Sequence, residues 1–170
     1  NKRVERLLNE VRTLAVERAR DAEGIECALR ARSLHDDSLS KWQPFVNGSE
    51  WGGEHRWWDF RFNVTAPEGY TGKQLFLEIT TGCEGAWDAT NPQFLAYVDG
   101  KVRQAIDTNH TTVLLGSDVK PGTVFSIYLK GYCQTGAGNF ARMRARTIEV
   151  AENVMQLYYD VRVPLDAAEL

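Results

Sequence analysis

Trp57-Trp58-Asp59-Phe60-Arg61-Phe62-Asn63-Val64-Thr65 alternates along the chain. Trp58, Phe60, Phe62 and Val64 fall on one side. Asp59, Arg61, Asn63 and Thr65 fall on the other, with Trp57 at the outward phase. Successive side chains of an extended chain point to opposite faces, so this run reads as a half-buried strand. Pro67-Glu68-Gly69 ends it.

The same period continues toward the C-terminus. Leu75, Leu77 and Ile79 alternate with Phe76 and Glu78. The apolar runs 94–98 and 101–105 flank Asp99-Gly100. An Asp-Gly pair between such runs is a strong hairpin signal, because a type I′ turn needs positive φ at both central residues. Runs 113–115 and 124–129 predict two more strands, separated by Pro121-Gly122. The last two expected strands are 141–150 and 154–163, joined by a turn near Glu152-Asn153. That register would set Asp160 opposite Arg144 in the outward stripe Arg142, Arg144, Arg146, as a solvated cross-strand ion pair. Eight or nine short strands with one long helix predict a mainly β chain, an antiparallel sandwich or jelly roll.

Upstream, Val4, Leu7, Leu8, Val11, Leu14 and Ala15 recur at three- and four-residue steps with charges between them. They predict an amphipathic helix over 3–20, lying outside the sandwich and closing near Gly24. Its apolar side needs a surface, either its own domain or a neighbour. A short apolar run, 25–31, and a polar loop, 33–53, follow. The expected organisation is a helical arm at 1–24, a sandwich at 25–163, and at 164–170 the first turn of a linker or helix toward a further domain. The chain opens Asn1-Lys2-Arg3-Val4-Glu5 without a starting Met and is expected to be a piece of a longer protein.

The 170 residues carry a net charge of −3, a sequence pI near 5.7 and 43% hydrophobic residues. A core is therefore feasible, and the basic excess of a nucleic-acid binder is missing. No run is apolar for long enough to cross a bilayer as a helix. Cys27, Cys83 and Cys133 are odd in number and widely spaced, which predicts reduced thiols and a cytoplasmic protein. Asn47-Gly48-Ser49, Asn63-Val64-Thr65 and Asn109-His110-Thr111 match the glycosylation pattern and are read as chance.

The sequence holds no nucleophile elbow, phosphate loop, His-Glu-x-x-His or Cys-x-x-Cys. His35, His55 and His110 are far apart, so neither a catalytic nor a metal site is assigned. Glu84 and Asp88 share one Gly-containing loop, but a glycosidase needs two acids facing across the scissile bond, and solvated loop acids are expected. The candidates for a domain interface or sugar contact are Trp51, Trp57 and Trp87, because Trp offers apolar area with a polar tip. Trp42 also lies in an expected loop. Asp107, Asn109 and His110 join the candidates from the polar segment Asp107-Thr108-Asn109-His110, rich in side chains that can hydrogen-bond.

A family resemblance enters here. Trp57-Trp58-x-Phe60-Arg61-Phe62 and Ala66-Pro67-Glu68-Gly69-Tyr70-x-Gly72-Lys73-x-Leu75-Phe76-Leu77 resemble the N-terminal β-domain of many glycoside hydrolases. Asn91-Pro92-Gln93-Phe94-Leu95-Ala96-Tyr97-Val98-Asp99-Gly100-Lys101, followed by Asp107-Thr108-Asn109-His110, is similar to bacterial α-mannosidases of glycoside hydrolase family 38. Leu157-Tyr158-Tyr159-Asp160-Val161-Arg162-Val163-Pro164-Leu165 is similar to the join to that family's catalytic domain. The resemblance implies a galactose-binding-like sandwich serving as an accessory domain. It implies a retaining, metal-dependent parent acting on α-mannosides, with zinc or another divalent metal held in a catalytic domain of the same polypeptide. None of those catalytic or metal motifs has a counterpart here. An autonomous carbohydrate-binding module and the jelly-roll domain of another glycosidase family, such as the β-galactosidase-like enzymes, are the alternatives.

Overall fold

A computed structural model describes residues 2–31, 33, 35, 37–70, 74–84, 92–134 and 141–168. The order is α1 (Lys2–Ala15), β1 (Val16–Asp21), β2 (Glu26–Arg30), β3 (Gln43–Pro44), β4 (Glu50–Trp51), β5 (Arg56–Thr65), β6 (Gln74–Thr80) and β7 (Gln93–Val98). Then come β8 (Lys101–Ile106), β9 (Thr112–Gly116), β10 (Val124–Cys133), β11 (Ala141–Arg142), β12 (Arg144–Val150) and α2 (Glu152–Ala168). The molecule is mainly β and antiparallel, as the alternation predicts.

One sheet runs β3-β2-β5-β10-β7-β8 and the other β1-β12-β6-β9, with a small β11-β4 pair beside them. The apolar phase of β5 decides the layering. Phe60 and Phe62 are 0% and 5% exposed, while Arg61 and Asn63 face out. Leu75, Leu77 and Ile79 of β6 join Phe60, Phe94 and Leu129 in one core, so the sheets bury their inner faces against each other. Trp58 packs on this core half-buried, its indole N–H donating to the Gly52 carbonyl at 3.0 Å. Asp99 and Gly100 both take positive φ, 51° and 74°, closing the β7–β8 hairpin as a two-residue turn requires.

Two elements differ from expectation. The predicted helix over 3–20 stops at Ala15, and Val16–Asp21 forms strand β1 along β12. The edge of β12 offers a row of backbone donors and acceptors, and pairing satisfies them where helical spacing would not. The 25–31 run, left unassigned, contains strand β2.

The second difference is larger. The expected strand 154–163 is helical, and β12 is the last strand. Leu157-Tyr158-Tyr159-Asp160-Val161-Arg162-Val163 alternates in sequence, but helical spacing also fits the burial. Val154, Met155, Tyr158, Arg162 and Leu165 are the less exposed positions of α2, three or four residues apart. Val154 and Met155 pack with Ala15 on Ile148 and Val150, on the outer face of the four-stranded sheet. The Ala151 carbonyl accepts from the Val154 and Met155 amides and starts the helix. Asp160 therefore does not meet Arg144. Arg144 instead binds Asp21 through Nε and Nη2, at 3.1 and 3.0 Å. Arg142 and Arg146 pair with Glu50 and Glu78, which the alternation did not predict.

Candidate functional site

The strand ends decide which loops meet. β5 begins at Arg56, β10 ends at Cys133, β7 begins at Gln93 and β8 ends at Ile106. Trp57 lies opposite Tyr132, and Tyr132 opposite Gln93. One residue inward, Gly131, Phe94 and Ile106 line up. Residues 107–111, which carry the chain from β8 in one sheet to β9 in the other, therefore sit at the same sandwich end as Trp57. At the roughly 4.8 Å strand spacing, Trp57 and Asp107 lie about 15 Å apart.

Asp107 organises its own turn. Its Oδ1 accepts the Asn109 and His110 amides, both at 2.7 Å, and the His110 ring Nδ1 at 3.0 Å. Its amide donates to the His110 carbonyl at 3.2 Å. Burial works against the Asp107 carboxylate, but these donors outweigh it and hold the group below the usual carboxylate value. Asn109 is exposed and the His110 side chain is 71% exposed, so the imidazole is half engaged and half presented to solvent.

The tryptophans divide. Trp51 is 3% exposed, wedged between Phe94 at 4.9 Å and Phe60 at 5.4 Å, and so cannot reach a sugar or a neighbouring domain. Short strand β4 draws it inward, which corrects its reading as a surface contact. Trp57 is half-buried with its ring 4.5 Å from that of Tyr132. Tyr132 also meets the exposed His55, whose Nδ1 is 2.8 Å from its hydroxyl. Trp42 is half-buried, with the Arg61 guanidinium 4.3 Å from its ring centre. Trp87 and Asp88 lie outside the described residues.

Sequence reasoning missed the Trp57–Tyr132–His55 cluster. The outward phase of Tyr132 was readable from the alternation of β10, but its partner in β5 depends on non-local strand order. His55 takes a left-handed φ of 51°, which His adopts more often than most residues but too seldom to be read from sequence.

Glu84 is engaged in its own loop. Glu84 is exposed, yet its carboxylate caps the loop, accepting the Thr81 and Gly82 amides and the Thr81 hydroxyl. Among the described residues no three His, Cys, Asp or Glu side chains stand close enough to hold a metal. No described helix is long and apolar enough to cross a membrane. Cys27, Cys83 and Cys133 are joined by no disulfide among the described residues, and burial pushes Cys27 and Cys83 up from the ordinary thiol value.

No family model matches the chain, and no curated protein matches it. Solved structures do. A β-glucuronidase from Ruminococcus gnavus, in complex with C6-substituted uronic isofagomine, is similar with a TM-score of 0.51 and 10% identity, over 81% of this chain and 30% of that one. The Faecalibacterium prausnitzii β-glucuronidase is similar with a TM-score of 0.52 and 10% identity, over 79% of this chain and 32% of that one. At this identity the likeness establishes a shared sandwich fold. The chain spans about a third of the length of these glycosidases.

Proposed function

We propose that this chain is a non-catalytic sandwich domain of a glycoside hydrolase, and that the parent is an α-mannosidase of glycoside hydrolase family 38. The observation that carries the reading is the β7–β8 hairpin with its self-capped Asp107 turn. The residues that resemble the α-mannosidases, 91–101 and 107–110, include β7, the Asp99-Gly100 turn at its far end and the Asp107 turn beside its start. The glycosidase part of the reading is supported by the fold shared with β-glucuronidases that are about three times longer.

In this reading the sandwich end carrying His110 faces the catalytic domain of the same polypeptide, with the exposed imidazole bonding across that interface. The zinc or other divalent metal, the paired acids and the mannoside site belong to that domain. The described residues offer no metal cluster to hold them here. The protein is expected to work in the cytoplasm, where its thiols stay reduced.

A second reading, a sandwich domain of a β-glucuronidase- or β-galactosidase-like enzyme, is favoured by the fold likeness itself. The discriminating experiment is to express the whole polypeptide whose gene encodes this chain. It is assayed on aryl α-mannosides, β-glucuronides and β-galactosides with and without zinc. Metal-dependent cleavage of the α-mannoside alone supports the first reading. Cleavage of either β-glycoside replaces it with the second, and no glycosidase activity removes both.

A further inference from the structure

α1 and α2 form an antiparallel arm that leaves the sandwich. At its base the Ala151 amide donates to the Ala15 carbonyl at 2.9 Å. Farther out, Arg162 Nη1 donates to both oxygens of Glu5, at 2.9 and 2.7 Å. Val4, Leu8 and Val11 of α1 turn toward α2, and Leu8 is 4% exposed.

This seam leaves much apolar surface uncovered. Leu7 and Leu14 on α1 are 52% and 72% exposed, and Leu157 and Val161 on α2 are 54% and 42% exposed. At about 100° per residue, Leu7 and Leu14 lie roughly 70–90° to one side of the α1 seam. Leu157 and Val161 lie about 70–110° to one side of the α2 seam. Because the helices run antiparallel, these are the same side of the arm, and the four side chains share one broad face. Two helices that bury only their mutual seam are a marginal structure in water, and a four-helix bundle is the closed solution.

The charges on that face favour a second copy as the occupant. α1 presents Arg3, Leu7, Glu10 and Leu14 there, all exposed. Arg3 and Glu10 stand seven residues apart, on either side of Leu7. A copy related by a two-fold axis near Leu7 crosses α1 antiparallel to its mate. Arg3 of each then meets Glu10 of the other, and the leucines close the centre. Such a face is self-complementary, as an isologous contact requires. We infer that the open face of the α1–α2 arm, centred on Leu7, Leu157 and Val161, pairs with the same face of a second copy. Its footprint of roughly 25 by 20 Å approaches the lower bound of specific interfaces, so a micromolar Kd is expected. The inference does not depend on the glycosidase reading.

The test is molar mass by sedimentation equilibrium and light scattering, on the protein at up to about 200 µM, well above a micromolar Kd. Dimer is expected. Leu157→Glu with Val161→Glu, both at exposed positions, gives monomer with unchanged circular dichroism. Arg3→Glu weakens pairing at least tenfold, and adding Glu10→Arg restores it. Monomer at every concentration overturns the pairing, as does a dimer indifferent to the Leu157 and Val161 changes. So does a longer polypeptide, carrying this chain, that is monomeric and in which those changes instead expose the join to proteolysis. The rest of the polypeptide is then the occupant.

Discussion

Arg30 and Asp59, 29 positions apart, form a buried ion pair on the outward side of the six-stranded sheet, where water would be expected. They are 3% and 0% exposed. Arg30 Nε donates to Asp59 Oδ1 at 2.8 Å, Nη2 donates to Oδ2, and the Tyr128 hydroxyl donates to Oδ2 as well. Asp37 reaches Arg30 Nη1 at 3.4 Å, and Trp42 packs edge-on against Tyr128. Asp37 and Trp42, from the stretch between β2 and β3, thus lie over the sheet. Burial, then the bond to Asp59, pushes the Tyr128 hydroxyl far above its ordinary value.

Removing one member of such a pair strands the other charge. Asp59→Ala is predicted to cost about 3–5 kcal/mol in urea unfolding. Tyr128→Phe, which removes one neutral donor, should cost about 1 kcal/mol. A loss below 1 kcal/mol for Asp59→Ala would mean the pair does not hold the loop.

Gly131 tests the core around Trp51. A Cβ there would lie 3.1 Å from Phe94 Cδ1 and Cε1 and 3.1 Å from Trp51 Cη2. Both rings are buried and have little room to retreat. Gly131→Ala is therefore expected to destabilise by about 1–3 kcal/mol, the usual cost of overpacking. Unchanged stability would place Trp51 elsewhere.

Glu149 is a local conflict in the fold. It is 2% exposed and faces the core side of β12 beside Leu75. Among the described residues neither carboxylate oxygen has a hydrogen-bond partner, and Arg18 Nη1 stands 4.0 Å away while donating to the Gly69 carbonyl. Glu149→Gln keeps the shape and removes the buried charge, and it is predicted to raise stability by about 1 kcal/mol. A loss of that size would show that the charge is compensated.

Asp107 gives a pH signature. Its folded value is lowered, so its stabilisation is complete above the unfolded carboxylate value, about 3.9, and is lost as pH falls through the folded one. Asp107→Asn should melt a few degrees lower at pH 7, and the two melting curves should converge as pH falls through the lowered Asp107 value. A gap that persists unchanged to pH 2 would rule out the carboxylate as its source.

The sandwich was legible because period-two alternation is local. Phe60 and Phe62 announce their burial within nine residues, and Asp99-Gly100 announces its turn within two. Residues 154–163 misled because that run alternates yet also fits a helix. Only the apolar outer face of β12 at Ile148 and Val150, a tertiary feature, decides for the helix. The site was legible in part. Asp107 and Asn109 follow turn chemistry, whereas Trp51 looked like a loop residue because β4 is only two residues long. The Arg30–Asp59 pair was invisible, since its members meet only once β2 lies beside β5.

The proposed function makes this chain a domain without catalysis of its own. The direct measurement is turnover of an aryl α-mannoside by the purified chain with added zinc. With no metal-holding cluster among its described residues, it is expected to release no aryl group above the buffer rate. Turnover that copurifies with the chain and vanishes in Glu84→Gln or Asp88→Asn would contradict the account.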